Sequence, residues 1–414
     1  MTDKSKMTLI ISVAVLLLIF CLIKCAGGGD SNTITVQVLE QPKSNPDISK
    51  SDVNVYVENS GSMDGYVNGP TSFKDALYSY LQVIKDNESN KFTFNYVNTS
   101  VHAVQNQDLR NVVKNLNTSS FISAGGDRTS SDIANVLKLV LDNTKKNDVS
   151  LLVSDFILSP GKGKNASDYE NDQKVTIRGL VSDFKKKHTD LAIVVLQLYS
   201  EFNGKYYNIQ DEPKSIKDKR PYYIWIIGDR NRVSKIWEDR KYLRVHDDDI
   251  IREFAVITGP VKLKSVVVDK FGKKNNLIEK KMNSYDFQLR VDCRPLLLDS
   301  IYLKDVNNYK LNDENYKIKK IKVLKDDNED YTNSILVYTN QPRRMTGGEK
   351  VSIKLNCSEP PAWINDCNDD FGMDVSAKGA MSKTFGIKYI LQGVYDAFYP
   401  NGKGTLVDYK LNIK

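Results

Sequence analysis

The chain has 414 residues and a mass of 46.9 kDa, with 40% hydrophobic and 27% charged residues; this supplies cores for one large or two medium domains and excludes disorder along the whole length. Glycine and proline usage is ordinary, at 23 and 12, and no self-similar period is visible, which excludes collagen-like, low-complexity and solenoid architectures. The net charge of +7, from 59 Lys and Arg against 52 Asp and Glu, is a weak bias with both signs interspersed; the densest basic stretches, Lys185–Lys187 and Lys317–Lys325, read as solvated faces, and no nucleic-acid partner is expected.

Met7–Ile23 is an uncharged run of 17 residues with Lys4 and Lys6 before it and Lys24 after it. As a helix it spans roughly 25 Å at about 1.5 Å per residue, near the short limit for a bilayer core. It lacks the small-residue cleavage site of a secretory signal, so residues 1–25 are expected to form a transmembrane helix that anchors the chain. The lysines ahead of the run favour an N-terminus in the cytoplasm and a body outside it, as in a bacterial cell envelope. The alternative is a lipoprotein anchored through Cys25, which precedes the small, flexible AGGGDSN; against it, Lys24 stands where a lipoprotein signal carries a small residue. Residues 26–50 read as a linker with one short strand at Thr33–Leu39.

From residue 51 to 255, strand-like and helix-like segments alternate. Strands are expected at Val53–Val57, Lys91–Val97, Val149–Val153 and Leu191–Leu198. Helices are expected at Phe73–Ile84, Ile133–Leu141 and Ile177–Phe184, the first from its apolar stripe at 73, 76, 77, 80, 81 and 84. The pattern predicts an α/β domain with a doubly wound, mostly parallel sheet covered on both faces. Arg220–Ile227 (R-P-Y-Y-I-W-I-I) is expected to add an edge strand and Arg232–Arg240 a helix. Asp247-Asp248-Asp249 is expected to open a further helix through Ile250, Ile251 and Phe254.

Residues 256–414 change character to repeated strands: Val261–Asp269, Tyr285–Cys293, Tyr316–Leu324, Ser334–Tyr338, Lys350–Leu355 and Leu406–Ile413. With a helix over Lys383–Phe398, they read as a β-rich domain with a C-terminal helix. The five cysteines make no disulfide scaffold at this size, and neither they nor His102, His188 and His246 show zinc-ligand spacing. Cys357 and Cys367 are read either as a local disulfide or as two free thiols.

In such sheets ligands bind outside the carboxyl ends of the strands. Three loops rich in hydroxyls and carboxylates fall there: Glu58-Asn59-Ser60-Gly61-Ser62-Met63, the Gly125–Ile133 segment, and Ser154-Asp155. Oxygen donors without histidine or thiolate suit a hard cation. These loops resemble those of the von Willebrand factor A domain, whose metal-ion-dependent adhesion site uses Asp-x-Ser-x-Ser after the first strand, a Thr on a second loop and an Asp on a third. Here Glu58 replaces the first Asp, Ser60 and Ser62 match the serines, and Asp155 matches the third loop. S-D-I-x-x-x-L puts Ser131 at the second-loop position, with Thr129 as the alternative.

The resemblance covers roughly residues 50–255. It implies that Ser60, Ser62 and Ser131 or Thr129 coordinate Mg²⁺ or another divalent cation, with Glu58 and Asp155 acting directly or through water. One position would stay open to an acidic side chain of a protein partner. Enzymatic signatures are thin: Gly61–Gly65 carries its serine one position early for a nucleophile elbow, and Gly161-Lys162-Gly163-Lys164 lacks the rest of a P-loop. The expectation is a membrane-anchored, extracytoplasmic protein-binding or assembly module that is not an enzyme. The alternatives are a structural subunit with a degenerate metal site and a metal-dependent hydrolase.

Overall fold

A computed structural model describes residues 33–42, 50–105, 108–129, 132–210, 212–244, 251–269, 271–281, 284–324, 330–339, 348–370, 372 and 379–414. The apolar run Met7–Ile23, Cys21, Cys25, Ser131 and the acidic run Asp247–Asp249 lie outside these residues. No helix among the described residues is long and apolar enough to cross a membrane.

The first strands and helices follow the sequence periodicity. β2 (Ser51–Glu58), β3 (Ser89–Val97) and β5 (Asp148–Ser154) are parallel neighbours with β2 in the centre, and β4 (Val101–Ala103) turns back antiparallel on β3. Every residue of β5 is buried, as required of a strand covered on both faces. Helix α1 (Ser72–Asn87) buries all six stripe residues, Phe73, Ala76, Leu77, Tyr80, Leu81 and Ile84. Two short helices follow, α2 (Leu109–Lys114) and α3 (Thr118–Ala124), the second opened by a reciprocal capping box between Asn117 and Ser120. Helix α4 (Ile133–Asn143) is capped by Asp132, whose side chain accepts from the Asn135 N–H, and α5 (Ala166–Lys187) buries Ile177, Val181 and Phe184.

The sheet is completed by a long hairpin, β6 (Leu191–Tyr207) and β7 (Pro213–Asp229), and by β8 (Arg252–Ile257), in the order β4-β3-β2-β5-β7-β6-β8. It is a mixed sheet, since β7 runs antiparallel to both β5 and β6, and β8 antiparallel to β6. The R-P-Y-Y-I-W-I-I run is therefore an interior strand rather than the expected edge. Tyr222, Tyr223, Ile224, Trp225, Ile226 and Ile227 are all buried beneath cover on both faces, and the strand's two edges are taken up by β5 on one side and by its hairpin partner β6 on the other. Phe254 lies on strand β8, so no helix runs through it as had been expected after the acidic run. Helix α6 (Arg230–Glu238) follows β7 and is tied to α1 by the Tyr80 hydroxyl, which donates to Ile236 O at 2.6 Å.

All but two of the remaining strands form two antiparallel sheets. One has the order β10-β1-β18-β15-β12, from Leu277–Glu279, Thr33–Val38, Thr405–Ile413, Glu349–Asn356 and Tyr309–Leu311. The other has the order β13-β14-β11-β9, from Tyr316–Val323, Asn333–Thr339, Tyr285–Val291 and Ser265–Val268. The Thr33 segment is thus a strand, as expected, but it belongs to the sheet of the C-terminal region. A parallel pair of two-residue strands, β16 (Asn368–Asp369) and β17 (Thr384–Phe385), precedes helix α7 (Ile387–Phe398). The expected helix start at Lys383 is shifted because Thr384 and Phe385 pair in β17. Cys357 and Cys367 are free thiols, the second of the two readings, and Cys293 is free and buried.

Candidate metal centre

The parallel register sets Val57 beside Val153, so Glu58 and Ser154 emerge together at the carboxyl ends of β2 and β5. Ser154 Oγ donates to Glu58 Oε2 and accepts from the Phe156 N–H at 2.8 Å. Phe156 has φ of 52°, a left-handed conformation rare outside glycine, and its ring stacks on Trp225 at 4.7 Å between centroids. This tight turn directs Asp155 inward, where it is 1% exposed.

Asp155 Oδ1 accepts from the Ile157 N–H at 3.3 Å, whereas Oδ2 has no hydrogen-bond partner among the described residues. Burial first, then the Glu58 carboxylate, raises the Asp155 pKa; the Arg220 guanidinium, the Ile157 N–H and the Ser62 hydroxyl oppose the shift. Ser60 Oγ and Ser62 Oγ lie 3.0 Å apart. The structure therefore brings Glu58, Ser60, Ser62 and Asp155 into one cluster.

The second loop is pinned to the first by Arg128. Its Nε donates to Asn59 O at 2.6 Å, its Nη2 to Ser60 O at 3.3 Å and to Asp64 Oδ1 at 2.5 Å, while Arg128 O accepts from the Gly61 N–H at 3.0 Å. Asn59 Nδ2 adds a bond to Phe121 O at 3.0 Å. Thr129, the alternative second-loop ligand, donates both its N–H and its hydroxyl to Asp127 Oδ1, at 2.9 and 2.6 Å, and so is committed within its own loop. Ser131 is outside the described residues.

Sequence reasoning passed over Arg220. Its signal was a cation ending a basic K-S-I-K-D-K-R stretch where the apolar run begins, and the structure places it opposite Ser200 in the β6–β7 register, three residues from Tyr223, which pairs with Ser154 at the end of β5. The side chain is 0% exposed and lies over the rings of Tyr206 and Phe202, at 4.4 and 5.5 Å to the centroids. Beyond β5 the hairpin continues to Tyr207 and Pro213 and overhangs the first loop. There a Cβ on Gly204 would come within 2.7 Å of Gly65 Cα, so the approach requires glycine. The 379–386 segment closes the other side: Tyr199 OH donates to Ser382 O at 3.2 Å, Tyr223 OH to Thr384 Oγ1 at 3.0 Å, and the Leu158 N–H to Phe385 O at 3.2 Å. Glu58, Ser60 and Asp155 are buried, and Ser62 is half-buried.

The donors fit a hard cation: two hydroxyls, two carboxylates, and one buried carboxylate oxygen without a donor. No group of three or more His, Cys, Asp or Glu with metal-ligating geometry occurs among the described residues, so the serines would have to supply part of any shell. No family model, no curated protein and no solved structure matches this chain.

Proposed function

We propose that the chain is a membrane-anchored, extracytoplasmic protein-binding or assembly module. In this reading its α/β part is a von Willebrand factor A-like domain holding a divalent cation, Mg²⁺ or a similar ion, and it acts by binding rather than by catalysis. The observation that carries the reading is the orphaned, buried Asp155 Oδ2 in one cluster with the paired hydroxyls of Ser60 and Ser62. Asp155, Ser60, Ser62 and Glu58 would hold the ion, with Ser131 or Thr129 from the second loop. The bound ion would supply a fixed positive charge for a carboxylate of the partner. Ser62, the half-buried member of the four, marks where that carboxylate would approach.

A second reading, a structural subunit with a degenerate site, is favoured by two contacts. Glu58 Oε2 already takes the Ser154 hydroxyl, and Thr129 is held by Asp127. Thermal denaturation separates the two readings. A resident cation stabilises the folded chain by mass action, about 2.7 kcal/mol at one hundred times Kd, so Mg²⁺ or Mn²⁺ should raise Tm. Asp155→Ala should abolish the rise, and Glu58→Asp should enlarge it by fitting the shorter carboxylate to an octahedral shell. A Tm indifferent to cation in both the parent and Glu58→Asp would leave the structural reading. For the anchor, protease added to intact spheroplasts should digest the body; full protection would reverse the topology, and a mature N-terminus at a lipidated Cys25 would replace the helix with a lipid.

A further inference from the structure

β8 is the last strand of the large sheet, and no strand among the described residues pairs with its outer edge. The Thr258 N–H donates to Leu191 O at 2.9 Å, one step beyond the Ala192–Ile257 pair. Antiparallel alternation therefore turns the N–H and C=O of Phe254 and Val256 towards β6, and those of Glu253, Ala255 and Ile257 outward. Side chains close the two ends of this edge. Tyr399 OH donates to Ile257 O and accepts from the Ile257 N–H, each at 3.0 Å, and Trp363 Nε1 donates to Glu253 O at 3.1 Å. Between them the half-buried Ala255 keeps an N–H and a C=O without a partner among the described residues.

Ala255 lines a cavity of about 770 Å³, within the size range of ligand sites. Part of the lining is complete in itself: Arg240 lies over the Trp237 ring at 3.7 Å and its Nε donates to Glu253 Oε1 at 2.5 Å, while Trp237 Nε1 donates to Glu253 Oε2 at 2.9 Å. Tyr302 and Tyr395 also line it with their hydroxyls already used, on Asn356 O at 3.2 Å and on Ser358 O at 3.1 Å, so they offer ring surface. With Arg240 and Glu253 paired, the remaining charges of the lining are Asp299, Glu359 and Arg252, and the anions outweigh the cation. Arg252 Nη1 donates to Gln197 Oε1 at 3.4 Å, and neither Asp299 nor Glu359, both exposed, has an ion pair among the described residues. Aromatic rings and unpaired carboxylates favour the same guest, a cation. Ile301, between the lining residues Ser300 and Tyr302, is 76% exposed, an apolar side chain without cover on the same segment.

We propose that the β8 edge and this cavity bind an extended peptide segment that carries a lysine or arginine. The main chain of the peptide pairs with Ala255 as an added strand residue, and the basic side chain enters the cavity, where the rings and the carboxylates of Glu359 and Asp299 receive it. Because Trp363 and Tyr399 occupy the neighbouring edge positions, the pairing is confined to a short stretch, and selectivity falls on the side chain. The proposal does not rest on the cation reading, since β7 and β6 separate β8 from β5 and its Asp155 loop.

The test uses the full chain in detergent with EDTA, which keeps it separate from the cation centre. The probe is the peptide acetyl-Thr-Val-Lys-Val-Thr-amide, followed by tryptophan fluorescence, since two of the three tryptophans, Trp237 and Trp363, line the cavity. The peptide should shift the emission saturably. The same peptide with glutamate in place of lysine should bind roughly tenfold more weakly, as should the lysine peptide N-methylated at its three central residues, which keeps the side chains and removes the donors. A double variant, Glu359→Gln with Asp299→Asn, changes two exposed residues and keeps a side chain able to cap the helix at Asp299; it should weaken the lysine peptide about fivefold. Equal affinity for the lysine and glutamate peptides, or for the lysine peptide in the parent and the double variant, would overturn the basic partner. Equal affinity for the N-methylated peptide, or for n-butylammonium, the lysine side chain alone, would overturn strand addition. No saturable change at millimolar peptide would overturn the site.

Discussion

Glu170 sits on α5 with 2% of its surface exposed, and its Oε1 has no hydrogen-bond partner among the described residues. Burial first, then the charges of Asp370 and Asp369, pushes its pKa up to about 7 from an ordinary 4.5, against the Tyr389 hydroxyl and the Lys388 charge. An acid whose native pKa is raised holds a proton that the unfolded chain has already lost. Its contribution is therefore fully present below about pH 4.5 and is lost as pH rises towards 7, at a cost on the order of 1–3 kcal/mol. Urea unfolding of Glu170→Gln between pH 5 and 7.5 should show a flatter fall in stability than the parent; parallel curves would remove Glu170 as the source. At this scale the sequence was informative where chemistry is local. Glu58, Ser60 and Ser62 lie within five residues, and Asp155 follows an apolar strand. Arg220 and Glu170 were not legible, because their partners come from segments far along the chain, which spacing cannot bring together.

Helix α7 shows why an element can be found while its packing is not. Its apolar side was readable, and Ile387, Ile390, Leu391, Val394 and Phe398 are all buried. What the pattern did not reveal is that it packs on α5 of the α/β part rather than serving only the β-rich part. Lys185 of α5 donates to Ala397 O at 2.5 Å, near the helix end where a cation is favoured, and Lys174 pairs with Asp396 at 3.3 Å. Gly393 lets the two helices approach: a Cβ there would lie 2.6 Å from Lys174 O and 3.3 Å from Ile177 Cβ. Gly393→Ala gains about 1 kcal/mol of helix propensity but meets a backbone carbonyl, and overpacking of this kind costs typically 1–3 kcal/mol. The clash should win, lowering the urea midpoint, and Gly393→Val should lower it further. An alanine variant as stable as the parent would mean that the helices separate without loss. The same distinction explains β7, whose existence was legible from its apolar run and whose interior position was set by the hairpin and by burial on both faces.

On the scale of the whole molecule, the chain leaves its N-terminal region and enters the fold through the sheet of its last residues. β1 lies between β10 and β18, pairing Val36 with Ile413 and Val38 with Leu411, and Ile34 and Val36 are buried. A pairing between strands at opposite ends of the chain leaves no trace in local alternation, so the segment was readable as a strand within a linker but not as a sheet member. If residues 1–25 anchor the chain as proposed, the seven residues 26–32 span at most roughly 25 Å, and the five-stranded sheet is held close to the membrane surface. Removing β1 would also open the β18 and β10 edges, and the loss of Ile34 and Val36 burial alone costs roughly 3–6 kcal/mol as an upper estimate. A chain beginning at residue 30 should therefore keep the melting temperature and solubility of the body, whereas one beginning at residue 50 should melt several degrees lower and aggregate through the exposed strands. Adding a synthetic peptide of residues 30–42 to the shorter chain should recover part of the loss by refilling the gap between β10 and β18. Equal melting temperatures for the two chains would show that β1 is a passenger on the sheet, and the tether would then begin near residue 50, with the body free to stand farther from the membrane.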